Sequence, residues 1–226
     1  MRMRRKKHLE ERLEGCADIL IAQETYDFYH TPPLERNFVL DLRNVFGNDN
    51  KVIVEIGCGK GGWVTSSAQL NPDTNYIAVE KLSNVIVVAC EQAQQMKLPN
   101  VKFINCGAEN LLCFLPKHSV KEIALNFSCP FPKKTYANRR LTYCAFLEKY
   151  RQLLVDGGII RQKTDDEQFF DYSLEQYALC GFDVVSCTRD LYASGYDNIP
   201  TEYEQKFVAL GKKICACTVK VGKSEK

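Results

Sequence analysis

The sequence predicts an α/β fold in which helices cover both faces of a seven-stranded, mostly parallel sheet with an antiparallel last strand. Short apolar segments alternate with helical segments along most of the chain, a pattern typical of βαβ units and parallel sheets. A glycine-rich turn follows the first predicted strand. The last two predicted strands have no predicted helix between them, so we expect them to pair antiparallel.

Turn residues bound the predicted elements. The strands are predicted at 51–56, 76–80, 101–105, 120–127, 159–164, 182–186 and 213–221. Helices are predicted at 15–24, 35–45, 83–96, 138–154 and 167–180. A further helix is predicted directly after the glycine-rich turn. Asn71, Pro72 and Asp73 end the helix after the glycine-rich turn. Gly157 stops the helix at 138–154, and Gly181 closes the one at 167–180.

Length and composition favour one globular domain. The 226 residues, 45% hydrophobic and 26% charged, are predicted to form a single domain over 1–226. Residues 1–14 are predicted to be a basic arm that is disordered until it binds a partner. No apolar run is long enough to span a membrane, and no apolar signal segment follows the first basic residues. We therefore expect a cytoplasmic protein without a membrane partner. The net charge of +2 does not by itself require a nucleic-acid partner.

The eleven cysteines are predicted to be reduced and mostly buried. The sequence contains no C-x-x-C pair, and its three histidines lie at no zinc-finger spacing from a pair of cysteines. Scattered cysteines in a chain without a signal segment are typical of reduced thiols, and cysteine packs as a small apolar side chain. The sequence therefore predicts no metal site.

The glycine-rich turn VEIGCGKGG at 54–62 has two interpretations. It satisfies the dinucleotide fingerprint G-x-G-x-x-G, and equally the methyltransferase version G-x-G-x-G with an acidic residue ahead of it. Gly57 and Gly59 would let the backbone turn tightly and approach a ligand closely. Glu80, which ends the second strand, could accept hydrogen bonds from ribose hydroxyls in either case. Glu55 favours a methyltransferase, because it could face a methionine ammonium through water but would repel a pyrophosphate.

Motifs in the second half of the chain separate these interpretations. They are NFSCPFPKK at 126–134, RRLT at 139–142, KTDD at 163–166 and TEYEQKF at 201–207, and the chain opens with MRMRRKK. In order and spacing this set resembles the signature of the bacterial tRNA (guanine-N7-)-methyltransferases. These are Rossmann-like class I methyltransferases that depend on S-adenosylmethionine, and the resemblance covers nearly the whole chain.

The resemblance implies methyl transfer from S-adenosylmethionine to N7 of the variable-loop guanine of tRNA, with S-adenosylhomocysteine as the second product. It implies tRNA as the partner, and both a monomer and a homodimer are compatible with the sequence. It places cofactor contacts at Glu55, Glu80, Gly107 and Cys129. It places tRNA contacts at Lys133, Asp165, Thr201, Glu202, Tyr203 and Glu204.

Three positions depart from the family pattern. Gly107 replaces an aspartate that would contact the adenine region of the cofactor, and Phe131 replaces a tryptophan. Cys129 replaces the aspartate that is regarded as catalytic in the family. A second hypothesis is therefore a homologue that binds tRNA and cofactor but has reduced or lost catalysis. A third, supported by the glycine-rich turn alone, is a nicotinamide-dependent oxidoreductase.

The resemblance gives Cys129 as one catalytic candidate. The chemistry of the reaction adds Asp165, with Glu202 or Glu204 as further options. Guanine N7 carries a lone pair and no proton, so its methylation depends mostly on placing the reactants in line. A carboxylate near the guanine would offset the positive charge that develops on the ring, and Asp165 is the first candidate for this role. Asp165 could also cap the helix predicted at 167–180. The basic residues around Lys133 and Arg139 are expected to contact phosphates.

Overall fold

The computed structural model describes residues 6–222, which divide into two compact units at Pro116 and Lys117. Residues 1–5 of the predicted basic arm lie outside the described residues, while Leu9–Glu14 of the same arm form a helix, α1. The division follows local packing alone, so the single domain expected over 1–226 stays a prediction.

The first unit contains four parallel strands in the order β1-β4-β3-β2. After α1, its elements are β1 (Leu20–Gln23), α2 (Tyr26–His30), α3 (Leu42–Phe46), β2 (Val52–Ile56), α4 (Gly62–Leu70), β3 (Asn75–Val79), α5 (Ser83–Gln95), β4 (Val101–Asn105) and α6 (Leu111–Phe114). Every residue of β3 is buried, which is typical of a central parallel strand covered on both faces. The strands predicted at 51–56, 76–80 and 101–105 are confirmed to within one residue.

The helix predicted at 15–24 is wrong, because part of this segment forms strand β1. Leu20 pairs with Phe103 and Ala22 with Ile104, so the segment adds a parallel strand beside β4. Ile19 and Leu20 are buried against the same core as Phe103. A short apolar run fits a helix and a strand equally well, and here the pairing with β4 decides between them. The described residues therefore contain eight strands instead of the predicted seven.

The second unit also contains four strands, in the order β5-β6-β8-β7. Its elements are β5 (Val120–Asn126), α7 (Cys144–Leu153), β6 (Leu154–Thr164), α8 (Glu167–Leu179), β7 (Phe182–Thr188), α9 (Glu202–Ala209) and β8 (Cys215–Val221). β5 and β6 are parallel, whereas β8 runs antiparallel to both β6 and β7. The predicted antiparallel last strand is therefore confirmed.

The largest differences from the prediction in this unit are the starts of two elements and one helix that was not predicted. A 3-10 segment at Lys134–Arg139 precedes α7, which begins at Cys144 and not at 138. β6 begins at Leu154 and not at 159, because Leu154 already pairs with Val120 and a bulge separates this pair from the next one, Glu122 with Ile159. The glycines that we expected to stop the preceding helix therefore lie within the strand. Helix α9 lies between the last two strands, where a loop was predicted.

One pair of cysteines is oxidised, contrary to the prediction of reduced thiols throughout. Cys144, the first residue of α7, forms a disulfide with Cys180, which follows α8, and their Cα atoms are 6.1 Å apart. The remaining nine cysteines are free, and six of them are buried. Burial raises the pKa of the Cys215 thiol to about 11 and that of Cys58 well above its usual value, so both are neutral thiols that serve packing. Cys129 is exposed.

Candidate functional site

The glycine turn after β2 is tied to β3 through its backbone. The amides of Gly57 and Cys58 both donate to the carbonyl oxygen of Val79, at 2.8 and 3.0 Å. Gly57 and Gly59 have φ angles of 81° and 58°, in the left-handed region that favours glycine. Apart from chain neighbours, a Cβ at either position would meet no described atom within 4 Å. The turn therefore presents bare backbone to open space.

Gly61 is a glycine for a different reason. It precedes α4 with a φ of 85°, and a Cβ there would lie 2.8 Å from the Cβ of Ala89 in α5. A side chain at this position would therefore push α4 away from α5. The third glycine of the turn serves the packing of the fold, whereas Gly57 and Gly59 leave space beside the backbone.

Glu55 lies in β2, the strand before this turn, and Glu80 directly follows β3. The Glu80 carboxylate accepts a hydrogen bond from the Gly59 amide at 3.3 Å through Oε2, and one from the Leu82 amide at 2.9 Å through Oε1. Glu55 is buried within β2, with 2% of its surface exposed. The structure thus brings Glu80 to the glycine turn and fixes its carboxylate before any ligand binds.

Gly107 follows β4 and is held by a residue that the sequence analysis did not single out. Its amide donates to Oε1 of Glu24 at 2.9 Å, and the side-chain amide of Asn110 donates to the same oxygen at 2.8 Å. Tyr29 also donates to the Glu24 carboxylate, and this bond raises the pKa of Tyr29 to about 12. Glu24 was missed because it lies at the end of the segment predicted as a helix.

In the second unit, Cys129 lies in a turn with an unusual backbone. Phe127 and Phe131 have φ angles of 51° and 43°, which are uncommon and costly for bulky residues. The amide of Phe127 donates to the carbonyl of Lys163 at 2.8 Å, and Arg140 donates to the carbonyl of Phe131 at 3.0 Å. Strained residues of this kind persist where surrounding contacts fix them, often at functional sites.

The basic residues after this turn have two roles. Arg140 is partly buried, and its guanidinium lies 4.1 Å from the centre of the Tyr172 ring. Lys133, Lys134 and Arg139 are exposed. Arg139 stacks over Tyr136, with 4.6 Å between the guanidinium carbon and the ring centre. Arg140 therefore supports the turn, and the exposed cations are the ones accessible to a partner.

Asp165 follows β6, and its Oδ2 lies 2.6 Å from Nζ of Lys212. It does not cap α8. The N-cap is Asp166, whose side chain accepts a hydrogen bond from the Phe169 amide at 2.8 Å. The suggestion that Asp165 caps this helix is therefore wrong, and its carboxylate is directed to a lysine instead.

The four residues 201–204 divide into a buried pair and an exposed pair. Glu204 is fully buried, and its carboxylate accepts bonds from Nζ of Lys163 at 2.6 Å and from the Tyr192 hydroxyl at 2.9 Å. Thr201 and Glu204 form a reciprocal capping box at the start of α9. Glu202 and Tyr203 are exposed. Thr201 and Glu204 thus hold the helix start in place, and only Glu202 and Tyr203 face outward.

Within residues 6–222, no group of three or more histidine, cysteine or acidic side chains is arranged to hold a metal ion. No helix in this part of the chain is both long and apolar enough to cross a membrane.

Comparison with known proteins identifies the class to which this fold and glycine turn belong. A family model described as "Putative methyltransferase" matches residues 49–217. Two solved structures show the same fold at low sequence identity. The 16S rRNA methyltransferase KamB has a TM-score of 0.62 and 14% identity, covering 80% of this chain and 93% of that one. A SAM-dependent methyltransferase from Aquifex aeolicus has a TM-score of 0.54 and 12% identity, covering 96% and 100%. The chain has the Rossmann-like methyltransferase fold.

Relatives with higher identity define the family. The tRNA (guanine-N(7)-)-methyltransferase of Bacillus subtilis (strain 168) is 39% identical over 215 residues, covering 95% of this chain and 96% of that protein. The enzyme of the same name from Geobacillus sp. (strain WCH70) is 44% identical over 177 residues, covering 78% and 80%. The chain belongs to the tRNA (guanine-N(7)-)-methyltransferase family, as the sequence motifs predicted.

We expect Gly59→Ala to weaken the binding of S-adenosylhomocysteine at least about 10-fold, because a methyl group would occupy the space beside the bare backbone of the turn. Gly47→Ala is the matched control. Gly47 also has a left-handed φ, 70°, with open space around it, but it precedes the opposite end of β2. Both variants should lose about 1–2 kcal/mol of unfolding free energy from backbone strain. Equal affinities in calorimetry would contradict the role of Gly59.

Proposed function

We propose that this chain is a cytoplasmic enzyme that transfers a methyl group from S-adenosylmethionine to N7 of the variable-loop guanine of tRNA. The observation that carries the proposal is the hydrogen bond between the Glu80 carboxylate and the Gly59 amide in a chain of this family. That bond holds the carboxylate that we propose for ribose binding beside a turn with room for a ligand. The names of the relatives favour this function over a nicotinamide-dependent one.

The residues at the carboxyl ends of β2 and β3 fit S-adenosylmethionine. A Cβ at Gly57 or Gly59 would protrude into open space, so a ligand can approach the backbone there. Glu80 offers a carboxylate to the ribose hydroxyls, and Glu55 supplies an acidic group for the methionine ammonium. Gly107 belongs to the same set through its position after β4. Cys129 contributes to the cofactor end of the site in this proposal, as its place in the family motif implies.

When bound, S-adenosylmethionine supplies a sulfonium methyl group, to which guanine N7 bonds as the carbon–sulfur bond breaks, leaving cationic 7-methylguanine and S-adenosylhomocysteine. Because N7 carries no proton, the protein needs no general base in this step. Its residues contribute by orienting the guanine and by stabilising the positive charge on the ring. We assign the second task to Asp165, whose carboxylate Lys212 holds in place at 2.6 Å.

We assign tRNA contact to the exposed side chains of the second unit. Lys133 offers a cation to a phosphate, and Glu202 and Tyr203 offer a carboxylate and an aromatic ring at the start of α9. Thr201 and Glu204 act as positioning residues, because their polar atoms are taken up by the capping box and by Lys163. The buried Lys163–Glu204 pair ties α9 to the end of β6.

The proposal predicts that the chain forms 7-methylguanosine in a tRNA transcript that carries a variable-loop guanine. The control is the same transcript with adenine at that position. Mass spectrometry of the digested nucleosides, after incubation with S-adenosylmethionine, measures the product. Product on the first transcript alone supports the proposal. Equal product on both would refute the assigned position, and no product on either would refute the activity.

Cys129→Asp should raise kcat about 10²-fold. A neutral thiol is a weak hydrogen-bond donor and acceptor, whereas a carboxylate would help to offset the charge on the methylated ring. Cys187→Asp is the matched control, because Cys187 is the other exposed free cysteine and lies in β7. Single-turnover methylation rates should rise for the first variant only. A Cys129→Asp variant no faster than the parent would show that the turn does not act on the reacting base.

Lys133→Gln and Arg139→Gln should weaken tRNA binding and flatten its dependence on salt. Removing one cation that binds a phosphate should lower the slope of log affinity against log salt by up to about 1. Lys121→Gln is the control, since Lys121 is exposed in the same unit but lies at the opposite end of β5. Filter-binding titrations at several salt concentrations give the slopes. Unchanged slopes in the first two variants would exclude these side chains from phosphate binding.

A further inference from the structure

The carboxylate of Glu109 occupies the space that a side chain at position 107 would fill. An ideal Cβ built on Gly107 would lie 2.4 Å from Oε2 of Glu109, 2.5 Å from its Cδ and 2.6 Å from its Oε1. Atoms that are not covalently linked do not come this close, so Glu109 can take this position only because residue 107 is a glycine. Where the family motif has a carboxylate on residue 107, this chain has the carboxylate of residue 109 within 2.6 Å of the Cβ position of residue 107.

We propose that Glu109 recognises the adenine 6-amino group of the cofactor in this chain, in place of an aspartate at 107. This inference rests on the proposed use of S-adenosylmethionine. It assigns a role to a residue outside every motif considered above. Sequence reasoning missed Glu109 because its significance depends on the shape of the turn and not on its place in a pattern.

Hydrogen bonds on both sides of Glu109 fix the backbone of the turn that carries it. The Gly107 amide and the Asn110 side chain both donate to Oε1 of Glu24, and the Asn110 amide donates to the Gly107 carbonyl at 3.0 Å. These bonds define a 3-10 turn at Ala108–Asn110. The side chain of Glu109 folds back from this turn over the glycine. These bonds fix the backbone from which the Glu109 side chain projects, and they do not involve the Glu109 carboxylate itself.

Glu109 also lies close to the residues around Glu80. β3 and β4 are neighbours, and the Glu80 amide donates to the carbonyl of Ile104 at 3.2 Å. The side-chain amide of Asn105 donates to the Glu80 carbonyl at 2.7 Å. Lys81, the residue after Glu80, places its Nζ 3.3 Å from Oε1 of Glu109. A ligand whose ribose is bound at Glu80 thus has the end of β4 beside it, where its base can meet Glu109.

A carboxylate at this place would select the base by its hydrogen-bonding groups. An ionised carboxylate only accepts hydrogen bonds, so it favours the 6-amino group of adenine and disfavours the 6-oxo group of hypoxanthine. Glutamine has both a donor and an acceptor, so Glu109→Gln should bind either base without preference. Glu109 is about half exposed, with 51% of its side chain accessible, which leaves the carboxylate open to a ligand.

The test compares S-adenosylhomocysteine with its inosine analogue by calorimetry. The parent should bind the adenosine form about 10-fold more tightly, the discrimination expected of one hydrogen bond to a charged group. Glu109→Gln should reduce this ratio to near one. The control Glu14→Gln changes an exposed glutamate at the end of α1 and should leave the ratio unchanged. A Glu109→Gln variant that keeps the parental ratio would overturn the inference.

Two further variants separate recognition from a structural role. Gly107→Asp/Glu109→Ala moves the carboxylate to residue 107 and should restore discrimination, since both carboxylates use the same space. Lys81→Met removes the ion-pair partner of Glu109 and should preserve discrimination. If Lys81→Met abolishes it as fully as Glu109→Gln does, the ion pair and not recognition by Glu109 is responsible. A parent that binds neither compound would refute the proposed cofactor, an outcome distinct from failure of the Glu109 inference.

Discussion

Backbone amides at the carboxyl ends of the parallel strands must find partners where strand pairing stops. Several loops meet this requirement by donating to the neighbouring strand or to the residue that follows it. Gly57 and Cys58 donate to Val79, and Glu80 donates to Ile104. In the second unit, Phe127 donates to Lys163. Within each unit, these bonds fix the backbone at the positions from which the candidate site residues project. The placement of those side chains therefore depends on the strands to which the loops are bonded.

Burial separates the roles of acidic residues that look alike in the sequence. Glu204 is fully buried and bonded to Lys163 and Tyr192, so its charge is balanced within the protein. Removing one partner of such a pair would leave an uncompensated charge, which makes it a structural constraint on α9. Asp165 is 18% exposed and Glu202 is exposed, so these are the carboxylates that can meet a substrate. Membership of one motif does not imply one function.

The sequence predicted the fold best where one signal was sufficient. Continuous apolar runs bounded by turns predicted β2, β3 and β4 to within one residue, and the glycine pattern predicted the turn beside Glu80. β1 was missed because its four residues become a strand only through pairing with β4. Helix α9 was missed although Thr201 and Glu204 have the spacing of a capping box, a signal that the sequence contained. The disulfide between Cys144 and Cys180 depends on distance in the fold, which spacing alone does not provide.

Two of the departures from the family pattern, at positions 107 and 129, have different structural meanings. At position 107, the absence of a side chain creates a space, and the carboxylate of Glu109 fills it. In our proposal the chemical group is retained although the residue is not. At position 129, the backbone on both sides is fixed by the left-handed Phe127 and Phe131 and by their bonds to Lys163 and Arg140. A change of side chain at Cys129 therefore alters the chemistry of the turn without altering its course. A sequence motif implies a chemical group at a certain place in the site. Only the atomic positions show whether a substitution has removed that group or whether a neighbouring residue supplies it.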